Sequence, residues 1–335
     1  MGEKVISYVA VLFVFFHLVF ISVLSAAPYY EGKKITLIVG YTPGGGYDIL
    51  ARLYAKHLPK HIPGKPTVLI ENMPGADSII AANQVYNLSK PDGLTICAFN
   101  RGLPFAQLLK TEGVRFDLRR FSWIGSVSTE AIVLALRTDL PFKSVDDILK
   151  AKNPINLGAT GPASSGSQFP LLLKEFAGMN FKIITYPASP DSLLAIERKE
   201  VDGRGGSYTS QKLPIERGLL RALIRGRVVE PGIENLPVDE DLAKTPIGKT
   251  VMAMRSAPDR IGRPYVAPPK TPPEVMNILR DAFAKATRDP ELLGEADKLK
   301  VSVEYIGPDE CLKTMDYILS QPEDIIKEFG KYIKF

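Results

Sequence analysis

The chain opens on an apolar run. Val5 to Leu24 is broken only by Ser7, His17 and Ser22, with Lys4 before it and the small residues Ser25, Ala26 and Ala27 after it. A positive start, an apolar stretch and small residues in that order predict a secretory signal peptide over residues 1–26. Pro28 disfavours cleavage directly after Ala27, so a cut after Ser25 or Ala26 fits better. The run is also long enough to span a bilayer, which leaves an uncleaved anchor as the alternative. No cysteine lies near the junction, which excludes a lipid-modified N-terminus.

Beyond this leader the pattern alternates between short β-branched runs and stretches of helical spacing. Ile35 to Gly40, Thr67 to Glu71 and Leu94 to Phe99 read as strands. Asp48 to Leu58 and Asp77 to Leu88 read as helices between them, and Pro91-Asp92-Gly93 as a turn. The β-α-β-α-β order predicts a parallel sheet with right-handed crossovers. A second unit repeats the grammar. Ala131 to Arg137, Asn156 to Ala159, Lys182 to Tyr186 and Leu220 to Arg225 are strands. Helices start at Ser144, where Asp147 completes a capping box, and run over Ser165 to Ala177 and Ser189 to Arg198. Val228 to Arg263, rich in Pro, Gly and charge, reads as a mobile or irregular connection. Thr271-Pro272-Pro273-Glu274 starts a long helix to Arg288. Pro290 to Leu299 is a further helix, Ser302 to Ile306 a strand, and Pro308 onward helical. The fold class is α/β, with two Rossmann-like domains and a cleft between them.

Length and composition agree with two globular domains: 335 residues, 45% apolar and 24% charged. The formal net charge of +5 favours small anions, but Lys and Arg are interleaved with Asp and Glu, so nucleic acid is not an expected partner. Cys97 and Cys311 make no disulfide framework; they either pair or stay as two buried thiols.

Two loops could carry chemistry. Thr42-Pro43-Gly44-Gly45-Gly46-Tyr47-Asp48 joins the first strand to the first helix, and its glycines free backbone N–H groups to meet one anion at a helix N-terminus. The competing reading is a tight turn with Asp48 as N-cap. Residues 159–167, from Ala159 through Thr160, Gly161, Ser164 and Ser165 to Ser167, form the equivalent loop of the second unit. Both lie at C-terminal strand ends, where open α/β sheets bind ligands. Asn100 and Arg101 end the third strand; Arg101 either meets a carboxylate or is an exposed surface arginine. Arg204, within Val201-Asp202-Gly203-Arg204-Gly205-Gly206-Ser207-Tyr208, has the same two readings, and its glycine neighbours predict a close backbone approach. Catalysis finds little support. There is no G-x-S-x-G elbow and no Cys-x-x-Cys. His57 and His61 are four apart and could bind metal from one helix face, but Pro59 and Pro63 disturb that helix and no glutamate lies between them, so they read as two surface histidines.

Tyr41-Thr42-Pro43-Gly44-Gly45-Gly46-Tyr47-Asp48-Ile49-Leu50-Ala51-Arg52 resembles the opening motif of the tripartite tricarboxylate transporter receptors, the Bug family. The resemblance continues through Glu71-Asn72-Met73-Pro74-Gly75-Ala76, Lys90-Pro91-Asp92-Gly93-Leu94-Thr95, Leu140-Pro141-Phe142-Lys143-Ser144-Val145-Asp146-Asp147 and Gly158-Ala159-Thr160-Gly161. Val266-Ala267-Pro268-Pro269-Lys270-Thr271-Pro272 is similar to the family's late crossover back to the first domain. The resemblance implies a periplasmic Venus-flytrap protein that delivers a carboxylate to a membrane permease of one large and one small subunit, with no cofactor. It implies a ligand carboxylate held between residues 43–48 and 160–167. Three departures mark the distal wall: Tyr186-Pro187-Ala188-Ser189 replaces Tyr-Lys-Gly, Arg198-Lys199-Glu200 replaces Gly-Gly-Gln, and Gly206 stands where an aspartate is common, with Arg204 added.

The candidate ligand-binding residues are therefore Tyr41, Pro43, Gly44, Gly45, Gly46, Tyr47 and Asp48; Asn100 and Arg101; Thr160, Gly161, Ser164, Ser165 and Ser167; and Arg204 and Ser207. The expected domains are residues 28–127 with 264–335, and 128–263. The expected state is a monomer. A periplasmic hydrolase or transferase on the same fold, and a membrane-anchored scaffold, are the alternatives.

Overall fold

The computed structural model describes residues 27–162 and 164–333; the predicted leader lies outside them. Among the described residues the strands are β1 (Lys34–Val39), β2 (Thr67–Asn72), β3 (Thr95–Ala98), β4 (Ser122–Ser126), β5 (Ile132–Arg137), β6 (Ile155–Ala159), β7 (Phe181–Thr185), β8 (Gly203–Ser207), β9 (Leu220–Arg225) and β10 (Pro264–Ala267). The α-helices are α1 (Gly46–His57), α2 (Ile79–Asn87), α3 (Leu103–Leu108), α4 (Val145–Leu149), α5 (Ser165–Leu172), α6 (Ser189–Glu197), α7 (Tyr208–Glu216), α8 (Pro246–Ser256), α9 (Pro273–Ala286), α10 (Pro290–Lys298), α11 (Pro308–Leu319) and α12 (Glu323–Tyr332). None is long and apolar enough to cross a membrane.

The strands form two sheets, ordered β2-β1-β3-β10-β4 and β7-β6-β8-β5-β9. β1 runs parallel to β2 and β3, as the βαβ grammar requires, while β10 is antiparallel to β3 and β4. In the second sheet β6 is parallel to β7 and β8, and β5 is antiparallel to β8 and β9. Both sheets are thus mixed. Every residue of β5, Ile-Val-Leu-Ala-Leu-Arg, is buried, the signature of a strand covered on both faces. β8 has no such signature: its sequence is Gly-Arg-Gly-Gly-Ser. Glycine is needed at two of those positions for space. A Cβ on Gly203 would lie 2.2 Å from the Ala135 carbonyl oxygen, and one on Gly205 would lie 2.9 Å from Pro170 of α5. The close backbone approach expected around Arg204 is therefore to β5 and α5.

Several elements depart from the sequence reading. Residues 228–263 are not irregular throughout: Thr245 caps α8, its side chain accepting from the Gly248 N–H, with Pro246 in the first turn. Ser302 to Ile306 is not a strand; only Ile306 bridges Ser126. The second helix starts at Ile79, because Ala76, Asp77 and Ser78 hold left-handed φ of 44°, 48° and 78°. Cys97 and Cys311 are separate buried thiols; burial raises both, Cys311 to about 12.

The chain leaves the first sheet after β4 and returns with β10, so two segments run between the sheets. They lie side by side. Val127 N donates to Arg263 O at 3.1 Å, Glu130 N to Asp259 O at 2.8 Å, and Arg263 N to Ser126 Oγ at 3.1 Å. Gly262 permits this contact, since a Cβ there would lie 2.7 Å from the Thr129 carbonyl carbon. Gly262→Ala is expected to destabilise the protein by about 1–3 kcal/mol, because backbone cannot move aside as a side chain tip can. Denaturant unfolding checks this; an unchanged midpoint would mean that the two crossings are not tightly coupled.

Candidate functional site

The cleft is built from strand ends. β1 ends at Val39, and the glycine loop carries the chain to α1, whose N-cap is Gly45. Gly44 has a φ of 85°, a left-handed turn that glycine adopts without strain. Asp48 is not the N-cap. It sits in the first turn of α1, buried, and accepts from Gly44 N, Arg52 Nε and Asn72 Nδ2, each at 2.8 Å. Burial alone would push its carboxyl up, but the bonds from Arg52, Gly44 and Asn72 outweigh it and hold the group below the usual carboxylate range. Asp48 therefore fixes the loop rather than facing a ligand.

Tyr47 is also structural. Its ring stacks on Tyr41 with centroids 4.5 Å apart, the Arg263 guanidinium lies 4.4 Å from its centroid, and its hydroxyl accepts from Arg101 N at 3.0 Å. Arg101 is no surface arginine. Its side chain is 14% exposed, its Nε donates to Asp259 at 2.9 Å, and Glu130 stands 3.7 Å from its Nη1. The surface reading of Arg101 is corrected: the side chain is largely covered and pairs with carboxylates of the protein, while it also lines a small cavity at the cleft.

β6 ends at Ala159 and leads to α5. Ser164 caps this helix, its side chain accepting from Ser167 N. Ser167 Oγ donates to the carbonyls of Thr160 at 3.2 Å and Gly161 at 3.0 Å, which closes the loop on itself. The first N–H groups of α5 remain at the cleft, with the positive end of the helix behind them.

Between these loops lies a cavity of 380 Å³. Of the predicted residues, Gly46, Thr160, Ser164, Ser165, Arg204 and Ser207 line it. A second cavity of 260 Å³ adjoins it through Thr160, Ser164 and Ser165, and takes in Tyr41, Asn100 and Arg101. Pro43, Gly44, Gly45, Tyr47, Asp48, Gly161 and Ser167 line neither. Sequence reasoning missed Ser128, Thr129, Glu130 and Arg263 of the two crossings, and Lys300 to Ser302 after α10. Only the short polar run Ser128 to Glu130 between two apolar stretches gave a local signal for the first three. No histidine or cysteine lines either cavity.

The charges are unequal. Glu130 is buried and paired with Arg263 at 2.5 Å, and it also accepts from Ser207 Oγ. Burial raises its pKa, but Arg263 and Arg101 more than reverse this and keep it ionised. Arg255 and Arg101 share Asp259. Arg204 differs from all of these. It is 6% exposed, and its guanidinium meets only Ser189, through Oγ at 2.9 Å and the carbonyl at 3.3 Å, and the Gly205 carbonyl at 3.5 Å. Among the described residues no carboxylate faces it, and burial lowers its pKa to about 10, so it remains a cation at neutral pH. Three cations, Arg204, Arg263 and Lys300, thus line the larger cavity against the single carboxylate of Glu130.

The arrangement offers hydroxyls, helix N–H groups and excess positive charge in a cleft between two α/β layers. A model of the tripartite tricarboxylate transporter family receptor matches residues 50–330. The chain belongs to this family. The receptor is 30% identical over 307 residues to a UPF0065 protein of Bordetella pertussis, covering 90% of this chain and 91% of that protein. It is similar in structure to a TctC solute binding protein from Polaromonas, with a TM-score of 0.71 and 22% identity over 90% of this chain and 99% of the other. An R. palustris protein solved with adipate gives a TM-score of 0.67 at 21% identity, over 89% of this chain and 97% of that one. The receptor has the two-domain α/β architecture of periplasmic binding proteins.

Proposed function

We propose that the protein is an exported periplasmic receptor that captures a small organic dicarboxylate between its domains and passes it to a membrane permease of one large and one small subunit. The observation that carries this reading is Arg204, a buried cation on the cavity wall with no carboxylate partner among the described residues. A buried charge without a partner is costly, and a ligand carboxylate supplies the missing partner. A second carboxylate fits the excess of cations at the cavity, and its oxygens would find the α5 N–H groups and the Ser164 and Ser165 side chains. The adipate-bound relative supports the same ligand class.

Capture needs a cleft that shuts. We take residues 28–127 with 264–335 as one domain, residues 128–263 as the other, and the paired crossings at Val127–Glu130 and Asp259–Arg263 as the hinge. Residues 1–26 would be the leader removed on export. On this reading the acid is bound and released without turnover.

Calorimetry against mono-, di- and tricarboxylates tests this reading. Dicarboxylates of the adipate and malate kind should bind most tightly and be recovered unchanged. Tightest binding of a monocarboxylate would remove Arg204 from the account, and consumption of the acid by purified protein would make it an enzyme.

A further inference from the structure

A second polar cluster lies at the other end of α1, away from the cleft. α1 ends at His57, and a 3₁₀ turn over Leu58–His61 continues it, so Pro59 does not part the two histidines as the sequence implied. Both face the start of α10, where Asp289 accepts from Glu291 N at 2.9 Å. The surface-histidine reading fails for His57, which is 3% exposed. Its Nδ1 lies 3.9 Å from Glu291 Oε2, and its Nε2 makes no hydrogen bond, although Glu295 Oε1 is 3.3 Å away. His61 Nε2 is 2.8 Å from Asp289 Oδ2. One ligand atom each from His57, Asp289 and Glu291 lie within 4.8 Å of one another.

A cation already occupies the gap. The Lys60 ammonium stands 2.5 Å from Asp289 and 2.9 Å from Glu291. Its side chain is 36% exposed, so it can leave for water by rotation of its own stem.

We propose that this cluster binds a divalent transition metal of the zinc class through His57, His61, Asp289 and Glu291, with Lys60 displaced into solvent. Two imidazoles and two carboxylates are a donor set that zinc accepts in tetrahedral geometry. Tetrahedral ligand atoms stand about 3.3 Å apart, so the atoms of His57, Asp289 and Glu291, now within 4.8 Å, must close by up to roughly 1.5 Å; Glu291, 76% exposed, is free to make that move, and His61, 21% exposed beside Asp289, turns in to complete the set. Two carboxylates balance the charge of the ion once the ammonium has gone. Glu295 would accept the Nε2 proton of His57 and hold Nδ1 toward the metal, the outer-sphere carboxylate that metal-bound histidines usually have. The ion would clamp α1 to α10, two helices whose opposite ends border the cleft at Gly46 and at Leu299 to Ser302.

The test uses untagged protein, whose only histidines are His17, His57 and His61. Zinc is titrated by calorimetry, and cobalt is followed by its tetrahedral d–d absorption. The proposal expects one ion per chain and cobalt displaced by zinc. His61→Ala and Glu291→Gln should each weaken zinc at least about tenfold with unchanged circular dichroism. Lys60→Ala should strengthen it, because the competing ammonium is gone. A parent protein that binds no zinc, or the same affinity in parent, His61→Ala and Glu291→Gln, overturns the site.

Discussion

Arg204→Met is expected to weaken dicarboxylate binding by on the order of 1.5–3 kcal/mol, about tenfold to a hundredfold in Kd, and to weaken a monocarboxylate much less. Methionine keeps an apolar stem against the cavity wall and removes only the charge. The guanidinium is buried, donates its hydrogen bonds to Ser189 and Gly205, and has no acid beside it among the described residues. In the empty protein its charge is therefore a cost, whereas in the complex it meets a ligand carboxylate in a cleft that excludes water. The two states separate the readings. If Arg204 serves a ligand, the variant binds worse while its unliganded melting temperature does not fall. If Arg204 serves the fold, the melting temperature falls and mono- and dicarboxylates lose affinity alike. Calorimetry and thermal unfolding of one pair of proteins distinguish them.

The second large effect is expected at Gly46. A Cβ there would lie 3.1 Å from Arg263 Nη2, on the wall of the larger cavity. Valine needs still more room and would press the guanidinium away from Glu130, the acid that Arg263 neutralises. Gly46→Val should therefore weaken any carboxylate ligand at least about tenfold, roughly 1.4 kcal/mol or more. Gly45→Val is the matched control. Its Cβ would meet nothing nearer than the Thr42 carbonyl oxygen at 3.9 Å, its backbone is extended, and it lines neither cavity. It should bind as the parent does. Equal losses in the two variants would mean that the loop backbone as a whole, and not the cavity wall at Gly46, holds the ligand.

Much of the fold was legible because its signals are local. β1 and β5 carry apolar, β-branched runs, and α9 carries a Pro-rich start with an early acid, so periodicity and capping found them. β8 was hidden because its glycines exist to make room for β5 and α5, a demand that comes from residues distant in the chain. The same limit governed the site. The two strand-end loops were visible as composition, and so was Arg204, as an arginine among glycines. Whether Arg204 faces the cleft depended on its register opposite Ala135, which no local pattern carries. Glu130 and Arg263 are separated by 133 positions and meet only because β10 returns beside β4. Asp48 was misread by three positions of a helix start. It was assigned to the N-cap, and the helix begins early enough that it belongs to the first turn and reaches back to Gly44.

The account stands most directly on where the acid sits. A crystal structure of the protein with its tightest-binding dicarboxylate should show one carboxylate within hydrogen-bonding distance of the Arg204 guanidinium and the other at the N-terminus of α5. A ligand bound outside the cavity between α1, α5 and β8, with Arg204 still bonded only to Ser189 and Gly205, would contradict it.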